Sequence, residues 1–297
     1  MDGIVNINKP AGITSHDVVL HARRILGEKR IGHTGTLDPL ATGVLVLCVG
    51  RATRVAQYLE AAEKEYRAVM RLGVITDTLD AKGRVLENRT YSPPGHGELD
   101  RVIRRFTGVQ FQTPPAFSAV KIGGTPSYRL ARQGMAKPNK PKQVTIHEIE
   151  LLSYENPLVG LAVRCSKGVY IRSLCADMGD ALGMGAHLVS LERTRSGRFS
   201  LAEALTLEEL QALAAAGDVG RAIMPIDRAL AEFPAVSLTE EESVRIAHGN
   251  RLPGPETVLN VPGGLCRLHD PSGRLLALAR LDQGVFSPEV VFPTLCE

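Results

Sequence analysis

No C-x-x-C pair occurs in the chain. The five cysteines (Cys48, Cys165, Cys175, Cys266 and Cys296) stand apart, and no histidines complete a zinc spacing. An odd, scattered set of this kind fits a reducing compartment rather than a disulfide framework. The eight histidines are single, with no ligand cluster. There is no G-x-x-x-x-G-K-[ST], no G-x-G-x-x-G after a strand, no H-E-x-x-H and no G-x-S-x-G. Phosphate-binding loops, dinucleotide sites, zinc peptidase helices and nucleophile elbows therefore find no support. Long apolar stretches are also lacking: runs such as Val44–Val49 fall far below the roughly 20 residues that span a bilayer. The N-terminal MDGIVNINKPAG has no basic segment followed by an apolar one, so no signal peptide is expected. These absences together predict a cytoplasmic protein that needs neither a metal nor a nucleotide cofactor and has no membrane partner.

What is present fits a globular chain of 297 residues, with 44% hydrophobic and 23% charged content. A net charge of +3 permits a polyanionic partner without demanding one. Ile4–Asn8 reads as a strand. Ser15 can cap a helix carrying Val18, Val19, Ala22, Ile25 and Leu26 on one face. Val44–Val49 reads as a buried strand and Ala52–Ala62 as helical. Glu65–Gly73 alternates, placing Tyr66, Ala68, Met70 and Leu72 together. Strands are expected at FSAVKIGG (Phe117–Gly124), Val144–Tyr154, Leu158–Cys165 and Ala186–Glu192. Helices are expected at Leu99–Phe106, along SYRLARQG, from Ile171 and over Leu207–Ala215. AKPNKPKQ (Ala136–Gln143), with three lysines and two prolines, predicts a mobile basic loop. Composition shifts near residue 230, where a helix at Glu240–His248 and several short strands suggest a small β-rich tail. Strands and helices mix without steady βαβ alternation, so the fold class is α+β with a mixed, mainly antiparallel sheet.

GHTGTLDPLATGVLVLCVG (Gly32–Gly50) carries the clearest chemistry. Pro39 disfavours the α region at Asp38. For an arbitrary Asp-Pro pair the plain reading is a turn feeding a core strand. Here three glycines (Gly32, Gly35, Gly43) shape the loop, His33 lies within five residues of the acid, and the acid stands at the mouth of a buried strand. Such a rigid mount suits a nucleophile or general base. In SKGVYIRSL (Ser166–Leu174), Tyr170 and Arg172 fall where a strand passes into a helix. Alone they read as surface residues, but an arginine near a partly buried carboxylate would hold it ionised, as a carboxylate nucleophile requires. Tyr66, in EKEYRAVM, reads as core unless its face meets a cleft, where the ring can stack on a base. Arg193, Arg195 and Arg198, with Arg23, Arg24, Lys29, Arg30 and the basic loop, are candidate phosphate contacts. Any one of them alone reads as solvated charge.

Taken together, NINKPAGITSHDVV, GHTGTLDPLATGVL, EKEY, SKGVYIRSL and GAHLVSLERTRSGRF resemble, in order and spacing, the bacterial tRNA pseudouridine synthases that modify uridine 55 in the T loop. The resemblance spans residues 3 to about 200, and the tail is similar to the small PUA-type β domain of these enzymes. It implies that Asp38 is the catalytic aspartate and Arg172 its partner. It likewise implies that Tyr66 stacks on the target base, with a role in proton removal. His33 would help hold the RNA with its base flipped out. Tyr170 and Leu191 would be further pocket residues, with Lys9 and Pro10 near the site. About residues 114–142 would form an insertion that closes over the T loop.

Breaking N1–C1′, turning the base and forming C5–C1′ changes no oxidation state, so this chemistry calls for no cofactor. The expected enzyme has a catalytic domain over residues 1–229, an RNA-binding tail over 230–297, and the T arm of tRNA as its partner. Nothing demands more than a monomer. Two rivals share the scaffold: a non-catalytic RNA-folding protein and a guide-RNA-dependent relative. The chain starts almost at its first motif and ends with the small tail, which disfavours the guide-dependent form. Activity on naked tRNA separates the two enzymes.

Overall fold

All six residues of the apolar run Val44–Val49 are buried, because the strand that holds them is covered on both faces. Leu45, Leu47 and Val49 enter one core cluster, and Val44, Val46 and Cys48 enter another. A strand with no solvent face can carry no polar side chain without a buried partner, which accounts for the unbroken apolar sequence.

The computed structural model describes residues 1–135, 139–254 and 264–292. Along the chain run β1 (Gly3–Lys9), α1 (Ser15–Leu26), β2 (Ile31–His33), β3 (Thr42–Val49), α2 (Ala56–Glu60), β4 (Lys64–Leu72), β5 (Val74–Thr76) and β6 (Val85–Asn88). Next come α3 (His96–Arg105), β7 (Gly108–Gln112), β8 (Lys121–Ile122), β9 (Thr125–Pro126), α4 (Ser127–Arg132), β10 (Lys142–Glu155), β11 (Leu158–Cys165) and α5 (Ile171–Ala181). Then follow β12 (Ala186–Ser196), β13 (Phe199–Ser200), α6 (Leu207–Ala215), α7 (Ile226–Ala229), β14 (Ala235–Ser237), α8 (Glu240–Ala247), β15 (Leu252–Pro253), β16 (Leu265–His269), β17 (Leu275–Asp282) and β18 (Val285–Val291).

A nine-stranded sheet runs β1-β3-β12-β4-β11-β10-β7, with β2 beside β3 and β13 beside β12. Its pairings are antiparallel except at β3 and β12, which meet in parallel at Thr42–Glu192 and Gly43–Arg193. The class is α+β, as the sequence pattern suggested. One face packs against α1, α3, α5 and α6; the other packs against the second sheet, ordered β14-β16-β17-β18-β15. Leu265, Leu278, Val290 and Phe292 of the tail share a core cluster with Val44, Val46 and Cys48, so the two sheets are joined by buried apolar area. Among the described residues no helix is long and apolar enough to cross a membrane.

Several elements differ from the expected ones. Thr14, not Ser15, caps α1; its side chain accepts from the Asp17 N–H while Asp17 accepts in return from the Thr14 N–H. Ser15 turns its hydroxyl inward to Leu37. Phe117–Gly124 keeps only the two-residue strand Lys121–Ile122. The carbonyls of Ala116, Phe117 and Ser118 serve Ser127, Arg172 and Tyr128 instead of a ladder. Ala52–Ala62 divides into a 3₁₀ turn and the short α2. The mobile basic loop is corrected at its far end. Asn139 is buried and its amide donates to the carbonyls of Pro114 and Pro115, while Lys142 and Gln143 belong to β10. Residues 136–138 of that loop, and Cys296, lie outside the described residues.

Cys48, Cys165 and Cys175 are free and buried, and burial pushes each thiol up to about 12. The folded value lies above the ordinary 9.0, so these groups contribute stability below pH 9 that is lost as pH rises toward 12. Iodoacetamide at slightly alkaline pH is expected to leave all three unmodified in the native protein and to label them in urea. Peptide mass spectrometry reads the result. Native labelling at the rate of a free thiol would contradict this packing.

Candidate active site

Asp38 stands in the loop between β2 and β3, and its backbone is held before its side chain acts. The Ala41 N–H donates to the Asp38 carbonyl at 3.0 Å, and the Gly12 N–H donates to the Pro39 carbonyl at 2.7 Å. Gly43, where the loop enters β3, has φ +97°, and a Cβ there would lie 2.3 Å from the Arg193 carbonyl oxygen. The close parallel joint between β3 and β12 therefore demands glycine.

Arg172 is the second residue of α5, delivered by the Ser166–Tyr170 loop after β11. Its Nε donates to Asp38 Oδ2 at 2.8 Å and its Nη2 to Asp38 Oδ1 at 3.0 Å. This is a two-point grip that fixes both carboxylate oxygens. The remaining N–H groups are also directed: Nη2 to the Phe117 carbonyl at 2.9 Å, and Nη1 to the Thr78 carbonyl at 3.0 Å, with Asp80 Oδ2 at 3.9 Å. The Arg172 side chain is 4% exposed and that of Asp38 is 29% exposed. The cation is thus enclosed while the carboxylate keeps one face open to the cavity.

That cavity, about 370 Å³, is lined by Asp38, Tyr66, Tyr170, Arg172, Leu191 and Arg193, with Lys64 deeper in its wall. Tyr66 comes from β4, opposite Val163 of β11 and Arg193 of β12. Burial pushes its phenol up and the neighbouring Arg193 opposes this, so the resting ring is neutral. Burial likewise pushes the Tyr170 phenol up. The Tyr170 backbone is fixed by Gln112, which accepts from its N–H at 2.7 Å and donates to its carbonyl at 3.0 Å.

Five sequence-predicted residues (Asp38, Tyr66, Tyr170, Arg172 and Leu191) therefore meet in one cavity. Two stand behind it. Lys9 is fully buried and its Nζ donates at 2.8 Å to the carbonyls of Pro10 and Ile13, bracing the turn beneath the Asp38 loop. Burial brings its amine down to about 8, Asp38 working against that fall. His33 is half-buried, and its Nδ1 accepts from the Gly35 N–H at 3.4 Å. Burial, then Arg193, holds this imidazole below its usual range, so it is neutral at pH 7.

Arg193 was a candidate phosphate contact, and the structure corrects this. It is 2% exposed, and it donates from Nε to the Val44 carbonyl at 2.7 Å and from Nη2 to the Gly35 carbonyl at 3.0 Å. Arg23, Arg195 and Arg198 also have internal partners, in the Ile31 carbonyl, Glu65 and the Arg228 carbonyl. Arg24, Lys29 and Arg30 remain exposed. Lys64 was not singled out, although it shares the β4 face with Tyr66; it is buried and donates to the carbonyls of Glu60 and Ala62. Among the described residues no group of His, Cys, Asp or Glu is arranged to hold a metal.

The model of the TruB family pseudouridylate synthase N-terminal domain matches residues 23–171. Residues 172–231 match the tRNA pseudouridylate synthase B C-terminal domain, and 233–293 the C-terminal domain of tRNA pseudouridine synthase II. The chain belongs to the TruB family of pseudouridylate synthases. It is similar to the family member named tRNA pseudouridine synthase B from Pelotomaculum thermopropionicum, with 43% identity covering 98% of this chain and 95% of that protein. Its counterpart of the same name from Pseudomonas aeruginosa is 41% identical, covering 97% and 95%. Among solved structures, an H/ACA ribonucleoprotein bound to substrate RNA containing 2′-deoxyuridine superposes with a TM-score of 0.75 and 28% identity, covering 98% of this chain and 85% of the other. A Cbf5–Nop10–Gar1 complex gives 0.76 and 29%, with the same coverage.

Within this family frame the fixed carboxylate is the chemically distinctive group. Among the described residues it is the cavity carboxylate held at both oxygens by a buried guanidinium and still open on one side.

Proposed function

We propose that the chain isomerises uridine to pseudouridine at position 55 in the T loop of tRNA, with Asp38 as nucleophile on a flipped-out base. The relatives' names support tRNA as the substrate. The observation that carries the role of Asp38 is its two-point hold by Arg172 at a cavity that a neutral Tyr66 ring also lines.

The reaction breaks N1–C1′, rotates the base and forms C5–C1′. The hydrogen on C5 leaves and N1 gains one, so atoms and charge balance without a cofactor. Carboxylate attack at C1′, attack at C6, and a glycal route all satisfy this balance, and all three need an ionised carboxylate at a fixed position. Removing uridine from its stack costs a few kcal/mol, which stacking in the pocket offsets. Tyr66 and Leu191 provide that surface. Tyr170, on its Gln112-fixed backbone, adds a further lining side chain. His33, neutral, holds the loop on which the target base is presented. Lys9 braces the turn under Asp38. Residues 1–229 form the catalytic domain, 230–297 the RNA-binding tail, and about 114–142 the part that meets the T arm, where bases and phosphates are read by shape and stacking.

Unmodified tRNA transcript labelled with tritium at uridine C5 tests this reading. Release of one tritium per tRNA without any guide RNA is expected, and none when position 55 is cytidine. Tight tRNA binding with no release would favour the RNA-folding reading, and release only with a guide RNA the guide-dependent one.

Tyr66 divides stacking from proton removal. Tyr66→Phe keeps the ring and loses the hydroxyl that lies beside Arg193. Its tRNA affinity is expected to stay within about twofold while turnover falls by about 100-fold or more, the range of a lost acid–base group. Tyr66→Leu is expected to weaken binding as well. A Phe variant at wild-type turnover would leave the tyrosine with stacking alone.

A further inference from the structure

The mount of Asp38 includes a residue outside the cavity. Ser15 is 2% exposed and does not line the pocket. Its hydroxyl accepts from the Leu37 N–H at 2.8 Å and donates to the Leu37 carbonyl at 3.0 Å. One side chain thus closes both backbone groups of the residue immediately before Asp38, across 22 positions of sequence. Leu37 is itself 3% exposed, so these groups have little recourse to water. Nothing in the helix explains this hydroxyl, because Thr14 and Asp17 already complete the capping box of α1.

The same turn holds the other side of the acid. The Gly12 N–H reaches the Pro39 carbonyl at 2.7 Å, and Lys9 Nζ fixes the turn by taking the carbonyls of Pro10 and Ile13. The Lys9–Ser15 segment therefore grips the chain at Leu37 and at Pro39, one residue on each side of Asp38. Arg172 fixes the carboxylate at its tip. With the chain held on both sides, the Asp38 backbone cannot turn without breaking the buried bonds at Leu37 or the exposed bond at Pro39.

We propose that Ser15 is a positioning residue for the reaction: it sets the direction from which the Asp38 carboxylate meets the flipped uridine. This rests on the reading of Asp38 as nucleophile. A displacement of about 1 Å at a reacting group is enough to cost about 100-fold in rate, and a freed Leu37 peptide allows movement on that scale. The role is felt in the bond-making step and not in tRNA binding, because Ser15 is closed off from the cavity.

The test compares two variants in single-turnover assays on C5-tritiated tRNA, with tRNA affinity and thermal unfolding measured alongside. Ser15→Ala removes both bonds to Leu37 and keeps a good helix former. Asp17→Ala weakens the same helix end through the capping box and touches neither Leu37 nor the cavity. Ser15→Ala is expected to slow the single-turnover rate by about 10- to 100-fold, with tRNA affinity within about twofold of wild type. Asp17→Ala is expected to lower the unfolding temperature and keep the rate within about twofold. Partial recovery of the rate in Ser15→Thr, which restores a hydroxyl, would support the proposal further. A Ser15→Ala rate at wild-type level would overturn it. So would equal slowing in both variants, which would reduce the effect to loss of helix-end stability. A wild-type chain that releases no tritium would instead overturn the reading of Asp38, which separates the two failures.

Discussion

Asp38→Asn is expected to lose turnover by at least about a thousandfold while tRNA affinity stays close to wild type. The loss of a covalent or directly charged participant is of that order or larger. Asparagine has nearly the shape of aspartate, so the loop need not move. Its chemistry differs at the point that matters. Arg172 presents N–H groups to both oxygens, from Nε and from Nη2. The asparagine oxygen can accept from one of them, and its NH₂ then faces the other donor. One hydrogen bond is lost and one donor–donor contact is made, a cost of about 1–3 kcal/mol in stability. The cavity edge is partly open, with the Asp38 side chain 29% exposed, so water relieves part of this cost and the chain still folds. The measurements are tritium release from C5-labelled transcript, equilibrium tRNA binding and a denaturant curve. A folded variant that binds tRNA and releases no tritium supports the nucleophile. A variant that turns over near the wild-type rate removes the central claim of this reading.

Local sequence carried the site residues further than it carried their surroundings. Asp38, Tyr66 and Arg172 each sit in a short pattern with a local signal: the Asp-Pro turn among glycines, the alternation of β4, and the strand-to-helix passage into α5. Their convergence in one cavity followed from the family resemblance and is geometric in the structure. What stayed hidden depends on non-local pairing. Arg193 reads as one more arginine in a basic run. It is buried because β12 meets β3 in parallel at Gly43, which brings its guanidinium beneath the Asp38 loop to the Val44 and Gly35 carbonyls. No spacing within β12 encodes that pairing. The same holds for Thr78 and Phe117, whose backbone carbonyls accept from Arg172: a carbonyl that accepts from a distant guanidinium leaves no trace in residue type. Ser15 was misread for a physical reason, since serine at a helix start favours the cap and here Thr14 had already taken it. The strands were legible wherever period two or full burial set the pattern, as in β4 and β3. Phe117–Gly124 failed because its apolar residues occur where the carbonyls are claimed by side chains and by α4.

Arg172 tests the other half of the mount, and two substitutions separate its charge from its shape. Five N–H groups on one planar cation are directed to Asp38, Thr78, Phe117 and toward Asp80. Lysine keeps the positive charge and offers three donors from a single point. It can satisfy one carboxylate oxygen and two carbonyls at best, and it cannot fix both oxygens of Asp38 in one plane. Arg172→Lys is therefore expected to retain most of the ion-pair stability and to lose about 100- to 1000-fold in single-turnover rate through misalignment. Arg172→Met keeps the apolar stem and removes the charge. It leaves Asp38 without its cation and two part-buried carbonyls without this donor, which is expected to cost about 3–5 kcal/mol. The lower end applies if water entering from the cavity reaches Asp38. Urea unfolding and single-turnover tritium release on the same preparations read both quantities. A lysine variant at the wild-type rate would mean that charge alone suffices and that the two-point grip is incidental. A methionine variant as stable as wild type would mean that the cluster pays more in desolvation than it returns in attraction, leaving reaction geometry as the reason for burying an arginine there.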